Sequence, residues 1–411
     1  MFVCYNVRMS ILLTDDQTKA EKMICDWFRR SSKQIFVLTG YAGTGKTTLL
    51  KKVVCDELKL VPGESVAFVT PTGKAATVLI KKGINATTLH RLIYSPYVKE
   101  EEVLVNGKKV KIEKVAFSRK EKLESGLKLI VLDETSMVSD EVLEDILSYD
   151  VKVLMCGDDA QLPPVESTNT YLCAPSARLC TIVRQAEDNP IIALSKIARE
   201  GGYIKYGNYG NKAFVMDKRQ FEGDLRKRML LKADQVISGT NKTRAQINDE
   251  IRAYKGFSGL PQSGEKLICV QNNWEQFVDK EQKFNLVNGI TGNVFDPVYD
   301  ERGIGFMQFL PDFTGEPCPD VVPFDTGIFE YGFYRYARDD YFERFDENGE
   351  TVGAFSLNRF EFGYCISCHK AQGSEFDNAI VFDESFAFKE DKARWLYTAI
   401  TRAKNKIIIV R

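Results

Sequence analysis

The chain has 411 residues, 44% of them hydrophobic and 27% charged, and its 56 basic and 57 acidic side chains give a net charge of −1. This length predicts roughly two to four domains with substantial hydrophobic cores. The even charge balance excludes a polycation that coats nucleic acid, so any nucleic-acid contact must come from a local groove. The ten cysteines are scattered except for one close pair, which favours reduced thiols over a disulfide scaffold.

The N-terminal sequence MFVCYNVRMSILL lacks a basic segment before a long apolar run, and it has no small-residue cleavage site. We therefore predict no signal peptide, and Met9 is a second candidate for the start of translation. No apolar run reaches the roughly 18 residues of a membrane span. These features predict a cytoplasmic protein that does not associate with membranes.

The strongest motif is a glycine-rich loop between a strand and a helix. Residues 35–38 form an apolar run typical of a buried parallel strand, and a Gly-x4-Gly-Lys-Thr motif, the P-loop, follows at residues 40–47. Glycines let the backbone wrap closely around phosphate groups, and the next helix N-terminus adds favourable partial charge. We predict that Lys46 contacts the β- and γ-phosphates of a nucleotide and that the Thr47 hydroxyl binds Mg²⁺.

Acidic residues follow two further apolar runs. LKLIVLDETSMV leads into Asp133 and Glu134, and VKVLMCGDDAQLPPV leads into Asp158 and Gln161. Acidic groups at the carboxyl end of a parallel strand lie beside the phosphate site. We predict that Asp133 holds Mg²⁺ through water, that Glu134 orients or deprotonates the attacking water, and that Gln161 senses the γ-phosphate.

Strands, loops and helices alternate along the first 180 or so residues, which predicts a doubly wound parallel sheet. The segment ADQVISGTNKTRAQINDEIR repeats the order of strand, loop and helix later in the chain. A second domain of the same architecture is therefore expected, with Asn241 just beyond one of its strands.

In order and over most of the chain, these motifs resemble those of superfamily 1 helicases. The matching stretches are LTDDQTKA, GYAGTGKTT, TPTGKAA, ATTLHR, VLDETSM, GDDAQLPPV, IVRQAEDNPI, YCISCHKAQGSEFDNAIV and WLYTAITRAK. The forms HKAQGSEFD and TLH are most similar to the RecD-like group, which includes the phage Dda-type helicases. The resemblance implies an ATP-dependent DNA helicase that moves 5′→3′ on single-stranded DNA and unwinds duplex.

The resemblance also implies an α/β fold of two RecA-like parallel-sheet domains, interrupted by a β-hairpin insertion and an SH3-like β insertion. The hairpin is expected around an Asn-Gly turn signal, where relatives carry a pin that splits the duplex. The expected divisions are 1–186 for the first RecA-like domain, 92–127 for the hairpin within it, 187–287 with 357–411 for the second RecA-like domain, and 288–356 for the SH3-like insertion.

Site residues are implied by the same motifs. The implied catalytic residues are Lys46, Asp133, Glu134, Gln161, Arg184 and Arg402, the two arginines stabilising charge on the transferred phosphoryl group. The implied ATP-binding residues are Gln17, which reads adenine, and Gly40, Ala42, Gly43, Thr44, Gly45, Lys46, Thr47, Thr48, Gly373 and Glu375, with Thr47 and Asp133 as the magnesium ligands. The implied DNA contacts are Pro71, Thr72, Lys74, Thr88, His90, Asn241, His369 and Lys370.

The cofactors implied are ATP and Mg²⁺, and the partners are single-stranded DNA and fork DNA. Replication or recombination proteins are further candidate partners. We expect a monomer in the cytoplasm of a bacterial or phage-infected cell, associated with the nucleoid.

Alternative readings remain open. One is a DNA-stimulated ATPase or translocase that does not separate strands. Others come from CISCH at residues 365–369, which matches the pattern for covalent haem attachment and also offers Cys365, Cys368 and His369 as zinc ligands. In their motif, however, the two cysteines are predicted to be small buried residues of a strand that leads into a loop linking DNA to ATP.

Overall fold

Two parallel β-sheets form the body of the protein in the computed structural model, which describes residues 12–105, 108–163, 170–183, 188–338, 340–345, 348 and 350–411. The first sheet is wholly parallel, and its strands lie in the order Ala86–Thr88, Val66–Thr70, Leu129–Leu132, Lys152–Gly157, Ile35–Gly40 and Ala177–Leu179. Its central strands are buried apolar runs, as expected for a sheet covered on both faces.

The second sheet repeats this architecture. Its strands lie in the order Cys365–Ser367, Gln235–Ser238, Phe376–Phe382, Ala403–Val410, Ala213–Met216 and Gly207–Tyr209, and only the last pairing is antiparallel. The α/β fold with two parallel sheets is therefore confirmed.

Helices flank both sheets. The α-helices are Asp15–Arg30, Lys46–Lys51, Gly73–Lys81, Leu89–Ile93, Asp140–Leu147, Pro190–Arg199, Gly223–Lys232, Asn241–Lys255, Gly327–Tyr331, Cys368–Ala371 and Lys392–Ile400. A π-helical segment, Lys52–Glu57, continues the second of these, and short 3-10 segments occupy Thr135–Met137, Thr170–Cys173 and Ser385–Asp391. In the part of the chain that the structure describes, no helix is long and apolar enough to cross a membrane.

Hydroxyl side chains begin several helices at the rims of the sheets. The Thr72 hydroxyl accepts a hydrogen bond from the Ala75 backbone N–H at 3.2 Å, and Ser367 caps the helix Cys368–Ala371 in the same way. A hydroxyl at this position satisfies one of the free N–H groups of the first turn. These caps fix the loops that follow the strands, which is where the candidate sites lie.

Antiparallel strands make up the rest of the fold. A five-stranded sheet has the order Val322–Asp325, Ile304–Pro311, Thr291–Tyr299, Lys266–Cys269 and Phe360–Phe362. Smaller two-stranded ladders join Asn273–Phe277 to Asn285–Leu286 and Tyr341–Phe345 to Thr351–Ser356. Two strands of the larger sheet lie outside residues 288–356, so the sheet is wider than the insertion expected from sequence.

A long hairpin projects from the first sheet. Its strands, Tyr94–Val105 and Lys108–Arg119, pair antiparallel along their whole length, and the Asn106-Gly107 turn lies outside the described residues. The strands of the shorter hairpin, Tyr341–Phe345 and Thr351–Ser356, contact the long one. The predicted hairpin is thus present, and the antiparallel region supports it from the side.

Candidate nucleotide and nucleic-acid sites

Glycines shape the P-loop between the strand Ile35–Gly40 and the helix Lys46–Lys51. Gly43 and Gly45 have φ values of 81° and 73°, in the left-handed region that favours glycine. Lys46 Nζ folds back over the loop and donates to the carbonyl oxygens of Gly40 at 2.6 Å and Tyr41 at 3.3 Å. The loop is therefore a preformed concave backbone with its cation held at the centre.

Two carboxylates face this loop from the end of the strand Leu129–Leu132. The Asp133 carboxylate accepts a hydrogen bond from the Glu134 backbone N–H at 3.0 Å, and Glu134 itself has a φ of 54°, which is uncommon for a residue with a side chain. Burial raises the pKa of both carboxyl groups, while the nearby Lys46 charge opposes that rise. Arg402 adds a second opposing charge at Glu134.

These donors suit a hard divalent cation. Thr47 and Asp133 both line the cavity above the P-loop, and hydroxyl and carboxylate oxygens are the ligands that Mg²⁺ prefers. A cation there would also remove the electrostatic penalty of burying two adjacent carboxyl groups. The residues present therefore fit the magnesium ion that the motifs imply.

Arg402 approaches the same cavity from the second sheet. It is only 5% exposed, and its guanidinium donates to the carbonyl oxygens of Thr398 and Ser374 at 3.1 and 3.3 Å and to the Thr401 hydroxyl at 3.1 Å. These bonds hold the guanidinium in place at the wall of the cavity.

A cavity of about 400 Å³ between the two sheets collects most of the predicted nucleotide residues. Those that line it are Ala42, Gly43, Gly45, Lys46, Thr47, Thr48, Asp133, Glu134, Gln161, Gly373, Glu375 and Arg402. Gln161 is 7% exposed, and its Oε1 atom has no hydrogen-bond partner among the described residues. A buried acceptor without a partner is the kind of group that a ligand or its water would satisfy.

Three predicted nucleotide residues, Gly40, Thr44 and Gln17, do not line that cavity. The Gln17 amide instead supports the P-loop from behind, because its Nε2 donates to the Thr44 carbonyl oxygen at 2.8 Å and its Oε1 accepts from the Thr14 backbone N–H at 2.9 Å. Contact between Gln17 and adenine stays a prediction. Arg184 lies outside the described residues.

A second, larger cavity of about 1020 Å³ adjoins the first. Of the predicted DNA contacts, it brings together Pro71, Thr72, Lys74, His90, Asn241, His369 and Lys370. Thr88 does not line it and caps the helix Leu89–Ile93 instead. Residues 287–290 of the antiparallel region form part of its wall. The two parallel-sheet domains and the antiparallel region therefore all line this cavity.

Lys74 lies at the seam between these units. Its Nζ donates to the Thr291 hydroxyl at 3.3 Å and lies 4.8 Å from the centre of the Phe376 ring. Next to it, a Cβ atom added to Gly73 would lie 2.9 Å from the Phe284 ring. Burial lowers the pKa of Lys74 to about 8. The side chain predicted to contact DNA therefore makes an inter-domain contact in this structure.

Trp274 is a further candidate for stacking on DNA bases, and none of the sequence motifs points to it. Its ring stacks on His90, with centroids 4.9 Å apart, and meets Phe117 of the long hairpin edge-on at 5.1 Å. The available signal was compositional, since Trp274 is one of three tryptophans in the chain and lies in the polar stretch QNNWEQF. Aromatic rings at such a position can stack on bases.

The CISCH cysteines are part of the packing. Cys365 and Cys368 are both fully buried, with Sγ contacts to Ser238 Oγ at 3.4 Å and to the Trp395 carbonyl oxygen at 3.6 Å. Burial raises the pKa of each thiol to about 12, which favours the neutral, packed thiol. Among the described residues, no group of three His, Cys, Asp or Glu side chains is placed to hold a metal ion.

Family models match both ends of the chain. One described as an AAA domain matches residues 12–217, and one described as a UvrD-like helicase C-terminal domain matches residues 362–410. The two matches contain the P-loop and Arg402, respectively.

Individual relatives of the chain include named DNA helicases. The chain is 27% identical to the ATP-dependent DNA helicase dda of Enterobacteria phage T4, over 97% of this chain and 99% of that protein. It is 24% identical to the ATP-dependent RecD2 DNA helicase of Deinococcus radiodurans, over 91% of this chain. The chain spans only 46% of that RecD2 and 36% of the uncharacterized protein MJ1519 of Methanocaldococcus jannaschii.

A solved structure of Pif1, from work on DNA unwinding at forked duplex by two coordinating helicases, is 18% identical with a TM-score of 0.50. The likeness covers 97% of this chain and 92% of that one, and it shows the fold alone. The family models and the helicase relatives confirm the resemblance drawn from the motifs. The chain belongs to the AAA-domain family and, among superfamily 1 helicases, to the group of RecD, Pif1 and Dda.

Proposed function

We propose that the protein is an ATP-dependent DNA helicase that moves 5′→3′ along single-stranded DNA and unwinds duplex at a fork. The observation that carries the proposal is the position of residues 372–375. Gly373 and Glu375 line the nucleotide cavity, Gln372 lines the larger cavity, and Ser374 lines both. One short loop therefore borders both cavities, and we expect it to carry a change in one cavity to the other.

On the nucleotide side, Lys46 and Arg402 neutralise the charge that develops on the transferred phosphoryl group from opposite walls of the cleft. Glu134 orients the attacking water, and Gln161 senses the γ-phosphate. Magnesium, held by Thr47 and Asp133, would supply further neutralisation of the phosphate oxygens. Arg184 completes the proposed catalytic set.

On the nucleic-acid side, the larger cavity holds a single strand. Its hydroxyl and amide groups contact phosphates, and His90, whose ring stacks on Trp274, offers a ring for base stacking. The proposed partners are single-stranded DNA and fork DNA, and the names of the helicase relatives support DNA as the nucleic acid.

The proposed division of labour follows the predicted domains. Two RecA-like domains, 1–186 and 187–287 with 357–411, close and open around ATP and so step along the strand. The hairpin within 92–127 acts as the separation pin. The SH3-like subdomain, predicted as 288–356, covers the bound DNA. The pairing of β-strands supports wider bounds for it, from Lys266 to Phe362, and correspondingly narrower bounds for the second RecA-like domain.

The experiment that tests this function is ATP hydrolysis by the wild type and by Lys46→Ala, each with and without single-stranded DNA. We expect DNA to stimulate the wild type, and Lys46→Ala to lose activity because the central cation of the P-loop is gone. A wild type whose hydrolysis is indifferent to DNA would contradict the proposal.

Strand separation and direction need a second assay, on duplexes with a 5′ or a 3′ single-stranded tail. We expect unwinding of the 5′-tailed substrate. The alternative of a translocase without strand separation predicts hydrolysis on both substrates and unwinding of neither. Preference for the 3′ tail would overturn the direction.

A further inference from the structure

The tip of the P-loop is held from across the cleft. The Ala42 backbone N–H donates to the Tyr397 hydroxyl at 2.8 Å, and the Arg199 guanidinium carbon lies 3.5 Å from the centre of the Tyr41 ring. Tyr397 and Arg199 belong to the helices Lys392–Ile400 and Pro190–Arg199, which pack on each other against the second sheet. Two consecutive P-loop residues, Tyr41 and Ala42, thus contact two helices of the other domain.

The Tyr397 hydroxyl makes a second bond into the first domain. It donates to Asp158 Oδ2 at 2.5 Å, and both side chains are almost completely buried, at 0% and 1% exposure. Asp158 follows the strand Lys152–Gly157 and interacts electrostatically with Lys46. One hydroxyl therefore joins the P-loop, an acidic strand end and a helix of the second domain.

Tyr397 is rigidly connected to Arg402. The Thr398 carbonyl oxygen accepts from Arg402 Nε at 3.1 Å, while the Thr398 hydroxyl accepts from the Leu162 backbone N–H at 3.0 Å. The part of the chain that brings Arg402 to the cavity also brings Tyr397 to the P-loop. Movement of one domain relative to the other must shift both together.

We propose that Tyr397 and Arg199 are positioning residues that couple the conformation of the P-loop tip to closure of the cleft. The loop then adopts its reactive form only when Arg402 is in place. This inference rests on the proposed function and extends it to two residues that the motif reading did not assign.

The proposal predicts a particular kinetic signature. Tyr397→Phe keeps the ring and removes only the hydroxyl, so the first domain's own contacts with the nucleotide remain. The variant loses the hydrogen bond from Ala42 to the Tyr397 hydroxyl, so closure of the cleft no longer positions the P-loop. Losing an interaction made only in the closed state lowers kcat and leaves KM nearly unchanged. We expect kcat for DNA-stimulated hydrolysis to fall by about 10-fold to 100-fold, with KM for ATP changed by less than about 3-fold.

Tyr209→Phe is the control for loss of a tyrosine hydroxyl away from the cleft, because that hydroxyl donates to the Lys205 carbonyl oxygen at 2.8 Å within the second domain. Both variants are measured alongside the wild type for kcat, KM and affinity for a fluorescent ADP analogue, which also shows that each is folded. Wild-type kcat in Tyr397→Phe, or a raised KM with unchanged kcat, overturns the inference. Absence of DNA-stimulated hydrolysis in the wild type overturns the proposed function itself.

A second test uses the Arg199–Tyr41 contact and does not depend on the Tyr397 variant. Arg199→Met, Tyr41→Leu and the double variant form a cycle in kcat. We expect each single variant to lower kcat and the double variant to be no worse than the more affected single one, because both remove one contact. Effects that multiply in the double variant would show that the two side chains act separately, contrary to the proposal.

Discussion

At the scale of single residues, Lys74 shows what a motif can and cannot predict. Its place in TPTGKAA predicts a residue near the bound single-stranded DNA, and Lys74 does line the larger cavity. Its hydrogen-bond partner Thr291, however, lies 217 residues further along the chain. No local pattern predicts such a contact, because it depends on how the antiparallel region docks on the first domain.

Titration of Lys74 provides a test of that contact. Since burial lowers its pKa to about 8, the amine is protonated below this pH and neutral above it, whereas exposed lysines stay protonated to about pH 10.4. In pulse acetylation at increasing pH, read by mass spectrometry, we expect half-maximal relative reactivity of Lys74 near pH 8. Half-maximal reactivity near that of the surface lysines would mean that Lys74 is solvated and the seam open.

At the scale of elements, the predictable parts were those with local signals. Apolar runs that end in acidic residues predicted the central strands, and alternation around Asn-Gly predicted the long hairpin. The extent of the five-stranded sheet was not predictable in this way. Its strands Lys266–Cys269 and Phe360–Phe362 pair with each other across a long insertion, and a short apolar run does not reveal which sheet it will join.

The long hairpin carries an element-scale prediction. Deleting residues 104–111 shortens it at its end while keeping the base, where Tyr94 pairs with Arg119. We expect unwinding of a 5′-tailed duplex to be abolished, because nothing then divides the strands, while DNA-stimulated ATP hydrolysis is retained. Displacement of streptavidin from biotinylated single strands serves as the control for translocation. If the shortened protein unwinds duplex like the wild type, the hairpin is not the pin.

At the scale of the whole molecule, neither the net charge nor the lining of the larger cavity supplies much positive charge for binding phosphates. The lysines and arginines among the described residues lining that cavity are Lys74, held at the seam, and Lys370, whose Nζ lies 3.6 Å from a Glu361 carboxylate oxygen. Burial lowers the pKa of both lining histidines, His90 and His369, which favours their neutral forms. A net charge of −1 adds no general attraction for phosphate. Strand binding should therefore depend mainly on neutral hydrogen bonds and stacking.

The dependence of strand affinity on salt tests this view. Each phosphate that is neutralised on single-stranded DNA contributes about −0.7 to the slope of the logarithm of the binding constant against the logarithm of the salt concentration. Because the described lining holds two lysines, we expect a slope no steeper than about −2. Fluorescence anisotropy of a labelled oligothymidylate, between about 50 and 200 mM NaCl, would then show affinity falling by no more than about 16-fold. Lys370→Gln should make the slope only slightly shallower, because the Glu361 carboxylate already offsets part of that charge. Lys74→Gln, which removes a cation engaged by Thr291 and Phe376, should leave the slope unchanged. A slope steeper than about −4 would mean that the strand follows a basic path outside this cavity.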